Sequence, residues 1–141
     1  GADTSAGMLS VLEQKVAALS LSNVTTVRLV PEEGYRVAGA YDGIVSSMTL
    51  HHVPDPKQLL QQFHAHLRPG GFVALADLDR EDGTFHKPGI TDVYHLGFER
   101  AEVRTWLEEA GFANVADTTA FVHRRHGREY PVFLITGRLT A

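Results

Sequence analysis

Two adjacent histidines, His51 and His52, follow a strand-like run over residues 41–48 (YDGIVSSM). An imidazole titrates near neutral pH, so it can accept a proton from a reacting group. Because adjacent side chains on an extended chain point apart, at most one of the pair is expected to be functional. The alternative is that both make hydrogen bonds that fix the loop. The pattern predicts a candidate proton acceptor where this strand ends.

A second group of polar side chains follows the next strand-like run, with Asp77 and Asp79 at its end and Glu81, Asp82 and His86 beyond it. Carboxylates and histidine bind divalent cations. These residues, however, lie in a polar loop without a metal-ligand spacing, so the sequence predicts no metal site. A solvated loop or the wall of a substrate site is the preferred interpretation, with Asp77 and His86 as candidate substrate contacts.

The third candidate is Asp3, which lies where a strand ends and a helix begins. A carboxylate at such a junction can accept hydrogen bonds from both ribose hydroxyls of a nucleoside. The alternative is that Asp3 only caps the helix that follows it. Together with the histidine pair and the polar group described above, this position favours the ribose role for Asp3.

The elements that must position these residues alternate between helical and strand periods. Apolar spacing predicts helices at 4–19, 55–67 and 99–110, and β-rich runs predict strands at 23–30, 41–48, 71–78, 114–123 and 130–139. The Asp55-Pro56 start is a strong helix signal, and Pro69-Gly70-Gly71 is the predicted stop. An irregular loop over residues 79–98 is long enough to suggest a function.

This order predicts an α/β fold. Strands that alternate with helices pair in parallel, whereas the last two strands have no helix between them and form an antiparallel hairpin at the sheet edge. The 141 residues fit one domain over 1–141.

Composition narrows the function classes. The chain is 43% hydrophobic and 21% charged with a formal net charge of −4, which argues against a basic nucleic-acid surface. It has no cysteine, so thiolate chemistry and disulfides are excluded. No apolar run has membrane-spanning length and no signal-peptide pattern is present, so the default expectation is a cytoplasmic protein.

Four segments in order, GADTSAGML, YDGIVSSMTLHHVPD, LRPGGFVALADLDREDGTFH and FERAEVRTWLEEAGF, are similar to those of the class I S-adenosylmethionine-dependent methyltransferases. The nearest branch comprises small-molecule enzymes related to the ubiquinone and menaquinone methylases. The resemblance covers essentially the whole chain. Each motif alone is common, but their order and spacing are specific.

The resemblance implies a Rossmann-like sheet, S-adenosylmethionine as cofactor, and a small-molecule methyl acceptor, with no nucleic-acid or membrane partner. It places His51 or His52 in the gap between cofactor and substrate. Met8 would pack on the adenine, although a plain core methionine is equally consistent, and the serines could be an ordinary strand end. The cofactor-binding residues it implies are Asp3, Thr4, Met8, Glu32, Ser46, Ser47 and Met48.

Two departures from the family pattern bear on these expectations. The family's first strand and glycine-rich turn are absent, although that strand would lie centrally between those ending near Asp3 and Met48. We therefore expect a truncated chain or a gap filled by another polypeptide, association into homo-oligomers, and weak or no cofactor binding. In addition, Glu32 could take the place of the family's usual acidic adenine contact, but Pro31 alters the backbone beside it.

Two other functions stay open at this stage. A nicotinamide-dependent oxidoreductase on a related sheet would be expected to carry a Tyr-x-x-x-Lys pair, which the sequence lacks. A non-catalytic fragment that persists as an assembly is the alternative from a different class. The acceptor atom, which can be oxygen, nitrogen, sulfur or carbon, is not defined by the sequence.

Overall fold

The computed structural model describes residues 1–125 and 127–140. It divides into two compact units, Gly1–Gly39 and Ala40–Ala141, which are described separately here. Within the described residues, no helix combines the length and the apolar character needed to cross a membrane. The single-domain organisation stays a prediction.

The first unit contains a two-stranded parallel sheet and one long helix. Strand β1 (Ala2–Asp3) pairs with β2 (Val27–Arg28), and helix α1 (Ala6–Ala18) connects them. Ser5 caps α1, because its hydroxyl accepts from the Met8 amide at 3.3 Å. A 3-10 turn at Pro31–Glu33 follows β2.

The second unit is built on a four-stranded sheet in the order β3-β4-β6-β5. Strands β3 (Tyr41–Ser47) and β4 (Leu67–Leu78) are parallel, whereas β6 (Arg128–Arg138) runs antiparallel to both β4 and β5 (Ala113–Arg125). Strand β3 therefore lies at one edge of this sheet. The mixed α/β sheet and the antiparallel C-terminal hairpin confirm the predicted fold class.

Two helices cover this sheet. Helix α2 (Pro56–Ala65) buries Leu59 and Leu60, and α3 (Arg100–Glu109) buries Val103 and Leu107. Asp55 caps α2 as predicted, since its carboxylate accepts from the Gln58 amide at 3.0 Å. The buried residues of the sheet include Val73, Leu75, Phe133 and Ile135.

Two predicted boundaries and the predicted inward face of one helix, which included Met8, Leu9 and Leu19, were wrong. Helix α2 ends at Ala65, before the Pro69-Gly70-Gly71 signal, and those residues lie inside β4. The strand predicted at 23–30 is reduced to Val27–Arg28, because its partner β1 offers only two residues for pairing. Helix α1 buries Leu9, but Met8 and Leu19 of its predicted apolar face are 60% and 69% exposed.

Candidate functional site

The candidate site starts at a sharp turn after β3. Met48 has a φ of +55°, in the left-handed region that non-glycine residues rarely adopt. Its amide donates to the Ala76 carbonyl at 2.8 Å, and its side chain packs against a buried cluster containing Leu78, Phe85 and Tyr130. The turn redirects the chain from the strand into a 3-10 turn at Leu50–His52, which carries both histidines.

His51 and Asp77 form a buried pair at the end of the parallel strands. Asp77 continues the inward-facing row of β4 after Val73 and Leu75, so its carboxylate has no exposed surface, and His51 is 1% exposed. His51 Nδ1 lies 2.6 Å from Asp77 Oδ1, which also accepts from the Leu78 amide at 2.7 Å. The His51 amide donates to Asp77 Oδ2 at 3.3 Å. These bonds fix the orientation of the imidazole.

The proton positions on His51 follow from its partner. A carboxylate only accepts hydrogen bonds, so Nδ1 of His51 carries the proton. Nε2 of the neutral ring carries a lone pair, which faces His86 Nε2 at 3.2 Å. The arrangement resembles the histidine–carboxylate pairs that orient a general base. Asp77, predicted as a substrate contact, has no surface with which to touch a substrate in this structure, and its influence passes through His51.

His52 and His86 complete a group of three imidazoles around this pair. His86 Nε2 lies 3.2 Å from His51 Nε2, and the ring centroids of His51 and His52 are 4.2 Å apart. One ring nitrogen from each of the three histidines lies within 4.8 Å of the other two. The expectation that the adjacent histidines point apart was wrong, because they lie in a 3-10 turn and not in an extended strand.

The loop over residues 79–98 is fastened to this turn. The carbonyl of His51 accepts from the amides of Tyr94 and His95 at 3.0 and 3.2 Å. His52 Nδ1 donates to the Asp92 carbonyl at 2.7 Å, and His95 Nε2 donates to the Val53 carbonyl at 3.0 Å. The loop is therefore held against the histidines by four hydrogen bonds, as a loop that shapes a binding site would be.

The segment that carries His86 is organised by Glu81. Its Oε2 accepts from the amides of Gly83 and Thr84 at 2.8 Å and from that of Phe85 at 3.1 Å. Burial lowers the pKa of His86, and the neighbouring charges of His51 and His52 lower it further. The His86 ring is therefore biased towards its neutral form, in which one nitrogen offers a lone pair.

The acidic patch predicted after β4 does not gather at one point. Asp79 forms a bidentate pair with Arg100, with N–O distances of 2.7 and 2.6 Å, and this bond raises the pKa of Arg100. Asp82 pairs with Arg128 at 2.5 Å, and its hydrogen bond from Thr84 lowers its pKa. Glu81 binds backbone amides as described. Only Asp77 and His86 of this patch join the histidine group.

In the first unit, Asp3 ends β1 as predicted. Its Oδ1 accepts from the Ser5 amide at 2.8 Å, whereas Ser5 and not Asp3 provides the N-cap of α1. No described residue donates to Asp3 Oδ2. Met8 is 60% exposed, so it is not a core methionine in this structure. Both residues retain groups that a ligand could contact.

The other predicted cofactor residues occupy strand and turn ends. Thr4 is exposed beside the start of α1, and Glu32 is exposed in the 3-10 turn that begins at Pro31. Ser46 and Ser47 are the last residues of β3, and Met48 forms the left-handed turn after them. The cofactor roles of all these residues stay predictions.

Sequence reasoning missed the contribution of Asp92 and His95 to the site. Both lie forty or more positions after the histidine turn, in a loop without regular periodicity. The only sequence signal for them is that long irregular loops in compact domains are more often functional than not.

Comparison with known proteins identifies the family. Residues 2–117 match the model of a methyltransferase domain family, Methyltransf_23. Phosphoethanolamine N-methyltransferase 1 of Triticum aestivum is 30% identical over 118 residues, which are 82% of this chain and 24% of that protein. Ubiquinone biosynthesis O-methyltransferase of Xanthomonas axonopodis pv. citri is 29% identical over 97 residues, or 60% of this chain and 41% of that protein. The chain thus spans well under half the length of either relative.

Solved structures share the fold. Phosphoethanolamine N-methyltransferase 2 of Haemonchus contortus, in complex with S-adenosyl-L-methionine, superposes with a TM-score of 0.78 at 14% identity, over 100% of this chain and 43% of that one. A SAM-dependent methyltransferase from Aquifex aeolicus gives a TM-score of 0.69 at 19% identity, over 99% and 67%. At these identities the similarity demonstrates the fold alone. The family match over most of the sequence confirms the resemblance on which the functional prediction rests, and this chain belongs to the methyltransferase domain family.

Proposed function

We propose that this chain is the core of an enzyme that transfers a methyl group from S-adenosylmethionine to a small-molecule acceptor that must lose a proton. Membership of the methyltransferase domain family supports the reaction class. The observation that carries the finer proposal is the buried His51–Asp77 pair, with its 2.6 Å contact. Methyl transfer to an acceptor atom that has a free lone pair and no proton to release would not need such a pair.

When bound, S-adenosylmethionine would supply an activated methyl group to the acceptor atom, with its sulfur as the leaving group. The protein therefore has to align the acceptor and remove its proton. Because His51 is buried and its Nε2 faces that of His86, the acceptor reaches it only when the His86 ring turns aside. His51 Nε2 then receives that proton, and Asp77 stabilises the resulting imidazolium through the bond to Nδ1. Hydroxyl and protonated amine groups are the acceptor classes that need this step.

The residues at the end of β1 fit a nucleoside. Asp3 Oδ2 can accept from ribose hydroxyls while Oδ1 stays bonded to the Ser5 amide. The exposed thioether of Met8 offers an apolar, polarisable surface to an adenine ring. For these reasons we assign the nucleoside part of the cofactor to this junction.

An NMR titration tests the cofactor assignment even where binding is weak. We expect S-adenosylmethionine to shift the amide resonances of Asp3 and its neighbours up to Met8. Asp3→Ala should weaken binding by about 1–3 kcal/mol, the range for hydrogen bonds to a charged group. Asp42→Asn is the matched control, because Asp42 is an exposed carboxylate on β3 that pairs only with Arg68 in the described structure.

The outcome decides between the proposal and the non-catalytic alternative. If Asp3→Ala and Asp42→Asn bind the cofactor as the unchanged chain does, the ribose role of Asp3 is wrong. If no resonance shifts at saturating cofactor, the chain by itself lacks the cofactor site. The proposed function then fails for this chain.

A further inference from the structure

The three clustered histidines have a geometry that the proposed methyl transfer does not require. Removal of one proton needs one imidazole, yet nitrogens from His51, His52 and His86 lie within 4.8 Å of one another. His51 and His86 approach through their Nε2 atoms, at 3.2 Å. In a tetrahedral zinc site with Zn–N bonds of about 2.0–2.1 Å, two ligand nitrogens lie about 3.3 Å apart. The observed separation matches that value.

The tautomers of two of these rings suit metal binding. Nδ1 of His51 donates to a buried carboxylate, and Nδ1 of His52 donates to the carbonyl of Asp92 at 2.7 Å. Each Nε2 of the neutral rings therefore carries a lone pair. That of His51 accepts from His86 Nε2 at 3.2 Å, a hydrogen bond that a bound cation would replace. A carboxylate or carbonyl on the other nitrogen is the usual outer partner of a metal-binding histidine, since it fixes the ring and increases its basicity.

We propose that His51, His52 and His86 form a binding site for a divalent transition-metal cation of the zinc type, with Asp77 orienting His51. Among the described residues the group consists of three imidazoles without a carboxylate, which favours such a cation over Mg²⁺ or Ca²⁺, since those prefer oxygen ligands. Three protein ligands leave a fourth position for water or for an acceptor oxygen.

Metal binding requires movement of the two less buried rings. His51 is held rigidly, whereas the His52 side chain is 34% exposed and His86 lies in the loop over residues 79–98. The nitrogens of His52 and His86 must move towards Nε2 of His51, because the three lie within 4.8 Å of one another and a tetrahedral site needs about 3.3 Å. The sequence predicted no metal site, because the ligands come from two segments separated by more than thirty residues and from no motif with ligand spacing.

The site shares His51 with the proposed proton acceptor. A cation on Nε2 occupies the lone pair that would receive the acceptor's proton, so metal binding and proton acceptance by His51 exclude each other. We therefore expect zinc to inhibit transfer to acceptors that depend on this step. The binding test itself uses no S-adenosylmethionine, so its result is independent of whether methyl transfer takes place.

The test is a titration of the chain, without any affinity tag and freed of metals, with Co²⁺ followed by visible spectroscopy and with Zn²⁺ followed by calorimetry. We expect one cation per chain and the intense ligand-field bands of four-coordinate cobalt, bleached by Zn²⁺. His86→Gln should weaken binding at least tenfold, and Asp77→Asn by about 10–100-fold, the range for loss of an outer partner.

His64→Gln is the matched control, since His64 lies on α2 and packs on Phe112, outside the cluster. It should bind the metal as the unchanged chain does. Because Asp77→Asn removes a buried carboxylate and can prevent folding, the partly exposed His52→Gln provides a second ligand variant, and circular dichroism checks both. Absence of saturable binding overturns the proposal, as does equal loss in His64→Gln and His86→Gln. Those results would leave a simple N–H···N hydrogen bond between His51 and His86.

Discussion

Gly97 closes the loop that carries His86, and its replacement by alanine tests how that closure works. Gly97 has a φ of +66°, and an added Cβ would overlap the carbonyl oxygen of Asp79 and lie 2.7 Å from its carbonyl carbon. These Asp79 atoms belong to the backbone, so they cannot move aside by a change of side-chain rotamer. The loop ends are joined there by Phe98 N to Leu78 O at 2.9 Å and Arg80 N to Phe98 O at 3.0 Å.

The magnitude follows from two contributions. A non-glycine residue in the left-handed region costs about 1–2 kcal/mol. Opening the two closing hydrogen bonds adds about 1 kcal/mol each. Gly89 in the same loop has a φ of +89° and nothing within 4 Å of an added Cβ. Gly89→Ala therefore has the cost of the left-handed backbone but opens no closing hydrogen bond. Gly97→Ala should therefore destabilise the fold by about 2 kcal/mol more than Gly89→Ala.

Urea unfolding measures this difference. With a denaturant slope of about 2 kcal/mol/M, the midpoint of Gly97→Ala should lie about 1 M below that of Gly89→Ala. Amide hydrogen exchange at Phe98 should accelerate in Gly97→Ala alone, because only in that variant does the Phe98 amide lose its hydrogen bond to the Leu78 carbonyl. Equal midpoints together with equal exchange at Phe98 would refute the closure argument.

Three further outcomes are expected. The hydrogen bond from Arg104 lowers the pKa of Asp117, so the Asp117 carboxylate stabilises the fold above about pH 4 and this stabilisation is lost as the pH falls through the folded pKa. Asp117→Asn should therefore flatten the plot of unfolding free energy against pH in acid, and an unchanged plot would contradict this. Asp77→Asn should lower the free energy of unfolding by about 1–3 kcal/mol, because the amide cannot accept all the hydrogen bonds that the buried carboxylate accepts; thermal melts showing native stability would count against that arrangement. Because β3 is an edge strand, light scattering should give masses above the 15.5 kDa monomer, and Val45→Lys on β3 should reduce them; a monomer at every concentration would show that this edge does not recruit other copies.

The fold was predictable where local signals and pairing geometry agree. The hairpin of β5 and β6 followed from two β-rich runs with too few residues between them for a helix, and the start of α2 followed from Asp55-Pro56. Strand propensity gave a wrong prediction where the length of a strand depends on its pairing with a neighbour. The β-branched residues near Val27 have a partner strand of only two residues, so most of the run cannot form a ladder.

The candidate site was predictable only in part. His51 and Asp77 stand at the ends of neighbouring parallel strands, and parallel strands bring their carboxyl ends together. Sequence alone singled out both residues, but it gave them separate roles and not a mutual bond. The approach of His86 depends on how an irregular loop folds back, and no residue period encodes that path.

The way in which the loop over residues 79–98 is anchored bears on how related domains diversify. Its two ends are held to each other by the bridge between Asp79 and Phe98, and Arg100 locks Asp79 in place. Residues inserted between such fixed ends add closure entropy only slowly, since each doubling of loop length costs about 0.6 kcal/mol. The stretch inside the anchor can therefore change in length and composition while the sheet and the His51–Asp77 pair stay as they are. Under the proposed function, exchange of this segment between relatives would change the acceptor while the His51–Asp77 pair is retained.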